Sequence, residues 1–207
     1  MRKADTHEQA TFGGTNRKIV VVLNGPPGIG KDTLAELMEI HNYSHGSFKE
    51  GLYAATAEHY NVPLDVVKAL CTNRVTKENP TPTFSNKTPR KALQYVSEEV
   101  MKPVWGQAYF GNLLAKTCEN TGGDFVISDG GFPEEIEPLL EVFDTVYICR
   151  LWREGFSFEG DTRRYLYSTM QDLGREGIVF FDIKLADDKP EAGAATIELA
   201  IKLEEGL

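Results

Sequence analysis

The sequence GPPGIGKDT, Gly25 to Thr33, determines how the rest of the chain is interpreted. It has the G-x-x-x-x-G-K spacing and lies between an apolar run, residues 18–23, and an amphipathic stretch, residues 33–41. Glycines in such a loop let backbone N–H groups turn towards phosphate oxygens, and a helix that begins there adds positive partial charge. Lys31 would supply a full charge. The motif and its context therefore predict a strand, a phosphate-binding loop and a helix.

The loop has one unusual position. A serine or threonine usually follows the lysine, whereas Asp32 follows Lys31 here and Thr33 comes next. An aspartate aimed inward would repel phosphate, but in the first turn of a helix it can face outward and complement the helix dipole. Thr33 is then expected to hydrogen-bond a phosphate, with Mg²⁺ held largely through water. The residues predicted to bind the nucleotide are Gly25, Gly28, Ile29, Gly30, Lys31, Asp32 and Thr33.

The composition limits the functions that the chain can have. Its 207 residues suffice for one domain with its own core, and 22 Lys and Arg against 31 Asp and Glu give a net charge of −9. Such a chain is a poor general binder of nucleic acid polymers or anionic membranes, so phosphate binding needs a local positive pocket. Residues 1–16 are polar and predict a flexible tail without a signal peptide. The lack of a long apolar run and the three cysteines without a C-x-x-C pair predict a cytoplasmic protein with reduced thiols.

Alternating strand and helix patterns predict the fold class. Short apolar runs typical of buried parallel strands are found at residues 18–23, 125–128, 144–150 and 178–183. Helical patterns are found at residues 33–41, 47–61, 63–70, 90–101, 109–120 and from Pro190 onwards. Residues 42–46 are assigned to the end of a helix and a turn, and three prolines within 78–89 predict a mobile loop. We expect a three-layer α/β/α fold with a five-stranded, mostly parallel sheet and the ligand beyond the carboxyl ends of the strands.

A second motif is the apolar run Phe125 to Ser128, which ends in Asp129. A carboxylate at the carboxyl end of a strand beside a phosphate-binding loop can orient Mg²⁺ or its waters. The pattern alone is weak, because many strands end in an aspartate that only caps a turn. Combined with the loop, it predicts Thr33 and Asp129 as the metal site.

Four arginines lie in or beside a glycine-containing segment near residues 151–175. They are Arg150, Arg153, Arg163 and Arg164. Phosphoryl transfer spreads negative charge over the transferred group, and a mobile lid that carries arginines would stabilise this charge and exclude water. The alternative is that they are surface arginines paired with neighbouring carboxylates. We predict that these four residues and Lys31 form the catalytic group, with a lid at about residues 151–175.

Five blocks of sequence resemble the deoxynucleoside monophosphate kinases of bacteriophages, within the P-loop nucleoside monophosphate kinase group. The blocks are GPPGIGKDT (25–33), SFKEGL (47–52), KENP (77–80) with TPRKALQYVSEEV (88–100), VISDGGFPEE (126–135) and GDTRRYL (160–166). They occur in a consistent order between residues 18 and 203. The resemblance implies a P-loop kinase domain at residues 17–207, with an acceptor-binding helical insertion at about residues 48–120.

The resemblance also implies roles on the acceptor side. Arg90 would bind the acceptor phosphate and Gln94 would contact the edge of the base, and a spacing of four residues places both on one face of a helix. Phe48 and Trp105 are candidate stacking surfaces for the base, with core packing as the alternative. Lys49 belongs to the same group of candidate substrate-binding residues.

Two positions depart from the family. We expect an arginine where Gly131 stands, in the turn after the aspartate, and another where Lys102 stands. Both departures leave the choice of acceptor open.

The expected reaction is transfer of the γ-phosphoryl group of ATP, with Mg²⁺, to a (deoxy)nucleoside 5′-monophosphate. The expected partners are small nucleotides in the cytoplasm, that of a host cell if the chain is viral, with no membrane and no nucleic acid polymer; a homodimer is left open. One alternative is a kinase of another small phosphate such as phosphomevalonate. Another is a nucleotide-dependent switch or slow ATPase, which Asp32 and Gly131 favour.

Overall fold

Five parallel strands form a single sheet within the residues that the computed structural model describes, which are 17–73, 75–170 and 173–207. The strands are β1 (Ile19–Asn24), β2 (Ser44–Gly46), β3 (Phe125–Gly130), β4 (Thr145–Trp152) and β5 (Ile178–Lys184). Their order is β2-β3-β1-β4-β5, so the carboxyl ends meet at one edge of the sheet. The tail predicted at residues 1–16 lies outside the described residues.

The helices cover both faces of this sheet. They are α1 (Lys31–Glu39), α2 (Phe48–Tyr60), α3 (Leu64–Thr72), α4 (Pro89–Tyr95), α5 (Lys102–Trp105), α6 (Tyr109–Thr121) and α7 (Pro190–Glu205). α1 and α7 pack on one face, and α6 packs on the other with the first residue of α2. The three-layer α/β/α fold predicted from the sequence is confirmed. Among the described residues, no helix is both long enough and apolar enough to cross a bilayer.

β1 lies at the centre of the sheet because its sequence, IVVVLN, is buried along its whole length. Val21 and Leu23 point into one core, and Val20 and Val22 point into the other. β2 pairs with β3 at the edge of the sheet. The prediction of a helix end and a turn at residues 42–46 is correct for Asn42 and wrong for residues 44–46, because three residues are too few to show the periodic pattern of a strand.

Helices α2 to α6 fill the chain between β2 and β3. The predicted helix at residues 90–101 is interrupted, because a π-helical turn, Val96–Met101, joins α4 to α5. The structure also differs from the prediction of a mobile loop at residues 78–89. Phe84 is fully buried there, and the Thr81 N–H donates to the Lys87 carbonyl at 3.1 Å. The prolines therefore mark tight turns around a buried ring rather than a mobile segment.

The segment after β4 contains turns and neither a helix nor a strand within residues 153–170. We call residues 153–170 the lid segment, after the lid predicted from the sequence. Part of that prediction, residues 171 and 172, lies outside the described residues.

Asn24, the last residue of β1, fastens the lid segment to the sheet. Its Nδ2 donates to the carbonyl oxygens of Gly130 (3.1 Å) and Arg164 (3.0 Å), and its Oδ1 accepts from the N–H of Leu166 (2.9 Å). Asn24 is completely buried. Both amide N–H groups and the amide oxygen therefore have partners, and the end of β1, the end of β3 and the lid segment are joined at one point.

Asn24→Ala should lower the free energy of unfolding by about 2–4 kcal/mol, because buried backbone groups of three segments would lose their partners. Urea unfolding followed by circular dichroism measures the change. Asn112→Ala is the matched control, since Asn112 is exposed on α6 and alanine favours a helix. Equal stability of the two variants would contradict the role assigned to Asn24.

Candidate functional site

The loop between β1 and α1 has the backbone geometry that the motif predicts. Gly28 and Gly30 have φ angles of 79° and 109°, and a Cβ built at Gly30 would meet nothing within 4 Å. Conformation rather than crowding therefore requires glycine at position 30. Ile29 anchors the loop in the core beneath α1. No side chain caps the start of α1, as is usual where a helix N-terminus receives an anion.

Lys31 folds back across this loop. Its Nζ donates to the carbonyl oxygens of Gly25 (2.6 Å) and Pro26 (2.8 Å), and the residue is 7% exposed. Burial, followed by the charges of Arg163 and Lys49, lowers the pKa of Lys31 to about 8. The ammonium group thus lies among other cations with neutral carbonyls as its hydrogen-bond acceptors. A phosphate oxygen would be a stronger partner.

Asp32 and Thr33 are exposed on the first turn of α1. The charge of Asp32 opposes the larger effect of burial on the pKa of Lys31. Asp32 is therefore exposed in the first turn of α1, as expected from the sequence, and it also partly balances the charge of Lys31, which was not expected.

Asp129 is bound to the start of α2. Its Oδ1 accepts from the N–H of Phe48 (3.0 Å), and its Oδ2 accepts from the Ser47 hydroxyl (2.8 Å) and the N–H of Lys49 (3.0 Å). The Nζ of Lys49 lies 3.9 Å from the same Oδ2, and the Asp129 side chain is 2% exposed. Asp129 therefore caps α2 and ties it to β3, a role that the sequence did not suggest.

The residues predicted to hold Mg²⁺ fit an ion that arrives together with phosphates. Oδ1 of Asp129 can accept one more interaction beyond its bond to Phe48, and Thr33 is exposed beside the loop. Mg²⁺ usually keeps several waters and takes one or two protein ligands when phosphates supply the others. In the described part of the chain, no group of three or more His, Cys, Asp and Glu side chains could hold a metal ion by itself.

Arg163 lies beside the phosphate-binding loop, where its charge helps to lower the pKa of Lys31. Asp129 and Glu135 are among its acidic neighbours. Its guanidinium makes a two-pronged contact with Asp161, from Nε to Oδ1 at 2.9 Å and from Nη2 to Oδ2 at 2.8 Å. The fold thus brings one of the four predicted arginines next to Lys31.

Arg150 has different surroundings from those predicted. Its Nη2 donates to Asp182 at 2.6 Å, and its guanidinium lies over the rings of Tyr167 and Phe180. These contacts join β4 to β5 and to the lid segment rather than to the phosphate-binding loop. The catalytic role predicted for Arg150 stays a prediction, and in the structure its guanidinium is engaged by Asp182 and two aromatic rings.

Arg153 lines a groove beside the phosphate-binding loop. The groove has a volume of about 180 Å³ and is bordered by Gly30 and Thr33 and by residues 185–190, which lead into α7. The Nε of Arg153 donates to Asp187 at 2.8 Å. A flat heterocycle attached to phosphates in the loop could lie here, against the guanidinium plane. Residues 185–190 were not predicted to belong to the site, because LADDKP has the composition of an ordinary turn.

Arg164 has an exposed side chain, and its carbonyl oxygen accepts from Asn24 at 3.0 Å. Its backbone thus helps to anchor the lid segment. The catalytic role predicted for its guanidinium stays a prediction.

Arg90 and Gln94 lie on the exposed surface of α4. Nε and Nη2 of Arg90 are each 2.8 Å from Oε1 of Glu78. Burial alone would raise the pKa of Asp161, but hydrogen bonds from Arg163 and the charge of Arg90 lower it to about 2. Arg90 is therefore near the part of the lid segment that carries Asp161 and Arg163.

Phe48, predicted as a stacking surface, is a core residue. Its ring is 4% exposed and packs with Val20 and Leu114, so the alternative of core packing is correct for this position. Trp105 is 64% exposed and lies against the ring of Tyr109, with 6.1 Å between their centres. Trp105 keeps an exposed face that could contact a base.

Two buried charged residues of this region were not among the predicted site residues. Lys102 donates from Nζ to Glu98 at 2.8 Å, and its side chain is 5% exposed. Glu135 is 7% exposed; burial, followed by the charge of Asp129, raises its pKa well above the usual range, while Lys102 opposes the shift. Nothing in PEE at residues 133–135 distinguishes Glu135 from a surface carboxylate, so only the fold reveals its burial.

No protein-family model matches this chain, and no curated protein matches it. Among solved structures, a sugar kinase from Janibacter sp. HTCC2649 is 16% identical over 88% of this chain and 92% of its own, with a TM-score of 0.42. A gluconokinase from Sinorhizobium meliloti 1021 is 14% identical over 91% of this chain and 97% of its own, with a TM-score of 0.35. These similarities are remote, so the chemistry of the site has to be inferred from its own residues.

Proposed function

We propose that this protein transfers the γ-phosphoryl group of ATP to a small acceptor that itself carries a phosphate, and that the acceptor is a (deoxy)nucleoside 5′-monophosphate. The observation that carries the proposal is the concentration of cations at the phosphate-binding loop. Lys31, Lys49 and Arg163 lie close enough for the last two to lower the pKa of the first. Asp32 and Asp129 act against this crowding, each with a smaller effect than Arg163 or Lys49, and the several charges of a triphosphate would offset it further.

Asp129 supports a phosphate acceptor over an alcohol. An alcohol usually needs a carboxylate base to take its proton, as in protein kinases. Both oxygens of Asp129 already accept hydrogen bonds from the first residues of α2, so this carboxylate is poorly placed for that role. A phosphate acceptor is already an anion and attacks without such a base.

The reaction requires positioning and charge stabilisation from the protein. An oxygen of the acceptor phosphate forms a new bond to the γ-phosphorus as the bond to the β,γ-bridging oxygen breaks, which leaves ADP. Lys31 and Arg163 would stabilise the charge on the transferred group. Thr33 and Asp129 would hold Mg²⁺, which would neutralise part of the phosphate charge. The groove at Arg153 would take the adenine, and Arg90 the acceptor phosphate.

The nucleotide part of the proposal rests on the resemblance of five sequence blocks to the nucleoside monophosphate kinases. An ADP-release assay with all common NMPs and dNMPs, phosphomevalonate, and a reaction without acceptor tests it. ADP release that depends on one nucleoside monophosphate is the expected result. Release with phosphomevalonate alone, or at the same rate without acceptor, would overturn the proposed acceptor.

Lys31→Ala should lower kcat by about 10²–10³-fold, because it removes a cation aimed at the transferred group. The fold should persist, since the ammonium contacts only two loop carbonyls. Steady-state kinetics together with a urea unfolding curve measure both effects. Lys116→Ala, on the exposed surface of α6, is the control, and near-normal kcat in Lys31→Ala would disprove the assignment.

ATP binding should take up protons at pH 8. The pKa of Lys31 is about 8 in the free protein, so about half of the molecules carry a neutral amine at that pH. Phosphate charges favour the ammonium and raise its pKa, so binding should draw up to about half a proton from solution and affinity should fall above pH 8. Calorimetry in buffers of different ionisation enthalpy measures the uptake. Lys31→Arg keeps its charge, and an equal uptake by this variant would rule out Lys31 as the source.

Arg90→Ala should raise the KM for the acceptor by about 10-fold or more, because a charge-assisted bond to its phosphate is lost. The affinity for a non-hydrolysable ATP analogue should stay within about 2-fold, since the proposal assigns Arg90, which is paired with Glu78 on its own side of the chain, to the acceptor and not to ATP. Lys91→Ala changes an exposed neighbour on the same helix and serves as the control. A loss of analogue affinity without a change in the acceptor KM would place Arg90 on the donor side instead.

A further inference from the structure

Arg163 is held on one edge by the carboxylate of Asp161. Oδ1 accepts from both the backbone N–H (2.9 Å) and Nε (2.9 Å) of Arg163, and Oδ2 accepts from Nη2 (2.8 Å). A guanidinium has five N–H groups in a planar fork. Since Asp161 occupies the Nε edge, the other N–H groups, including those of Nη1, remain for a second anion.

The pair stays ionised at physiological pH. The Asp161 side chain is 6% exposed, and despite this burial the hydrogen bonds from Arg163 keep the pKa of Asp161 at about 2. Burial acts against the charged form of Arg163 as well, but its contact with Asp161 raises its pKa. The contact is therefore a fixed ion pair within one turn of the chain.

Gly131 provides the space for the Arg163 side chain. A Cβ at position 131 would lie 2.7 Å from Cγ and 2.8 Å from Cβ and Cδ of Arg163. The backbone fixes the Cβ atom of Arg163, so rotation of the Arg163 side chain alone would not relieve this contact. Gly131 is not among the glycines with positive φ, so it is needed for this close approach and not for its own conformation.

The backbone next to Arg163 is fixed as well. Asn24 binds the carbonyl of Arg164 and the N–H of Leu166. Asp161 thus binds the backbone at Arg163, and Asn24 binds it at Arg164 and Leu166, so the segment is held on both sides of the Arg163 side chain. The guanidinium is consequently placed where its charge acts on Lys31.

We propose that Asp161 is a positioning residue that orients Arg163 towards the transferred phosphoryl group, in a space that Gly131 leaves open. The inference rests on the proposed function. It also accounts for Gly131, where the sequence resemblance leads one to expect an arginine: a side chain at position 131 would exclude the arginine that enters from the lid segment.

A double-mutant cycle tests the proposal. Asp161→Asn should lower kcat by about 10–100-fold, because the carboxamide keeps the shape of the side chain but has a single oxygen and cannot accept from both Nε and Nη2 of Arg163. The affinity for a non-hydrolysable ATP analogue should fall by several-fold at most, which is less than the loss in kcat. In an Arg163→Ala background the same substitution should have almost no further effect on kcat, since a positioning residue acts only through the residue that it positions.

Two further variants complete the design. Gly131→Ala should lower kcat as Arg163→Ala does, because the added Cβ displaces the Arg163 side chain. The effects of the two substitutions on kcat should not be additive in the double variant. Glu159→Gln removes an equal charge from an exposed position of the lid segment and should leave kcat within about 2-fold. Urea unfolding of each variant separates loss of the fold from loss of turnover.

The outcomes separate this inference from the proposed function. If Asp161→Asn lowers kcat equally in both backgrounds, or raises kcat, Asp161 does not act by orienting Arg163. If the wild-type protein transfers no phosphoryl group to any acceptor, the proposed function fails. In that case the same cycle is measured with the affinity for tripolyphosphate, determined by calorimetry. If Asp161→Asn weakens this affinity several-fold, and has no effect in the Arg163→Ala background, the positioning role is still supported. If the effects of the two substitutions are additive, the positioning role is overturned.

Discussion

Repulsion between like charges at the carboxyl edge of the sheet is the constraint on which the site depends. Lys31, Lys49 and Arg163 lie together there, and the burial of Lys31 reduces the screening that water would give. Burial is the largest cause of the lowered pKa of Lys31, and the charges of Arg163 and Lys49 lower it further. The charges of a polyphosphate would offset this repulsion.

Each of these cations has a partner within the protein. Lys31 binds two loop carbonyls, Lys49 lies near Asp129, and Arg163 is paired with Asp161. The partners differ in how strongly they hold each cation and in which N–H groups they leave available for phosphate. Neutral carbonyls hold the ammonium of Lys31 weakly enough for phosphate to replace them, whereas Asp161 holds Arg163 by one edge and leaves the other edge available.

Asp129 and Asn24 show how single buried side chains connect the layers of the site. Asp129 joins the end of β3 to the start of α2, so it sets the position of Lys49 as well as its charge environment. Asn24 joins the end of β1 to the end of β3 and to the lid segment. Because buried polar groups are costly when unpaired, these contacts fix the relative positions of the loop, the helical region and Arg163.

The sequence by itself determined the glycine-rich loop between β1 and α1, the buried central strand, most of the other strands and helices, and the three-layer fold, but it did not reveal β2. These features come from local spacing and periodicity, which neighbouring residues fully specify. Only the tertiary structure decided that Arg163 reaches Lys31 while Arg150 packs against β5, that Phe48 is a core residue, that Phe84 orders the proline-rich segment, and that Glu135 is buried. Each of these depends on contacts between residues far apart in the chain, and the direction in which a side chain points from a strand or turn becomes known only when its neighbours are in place.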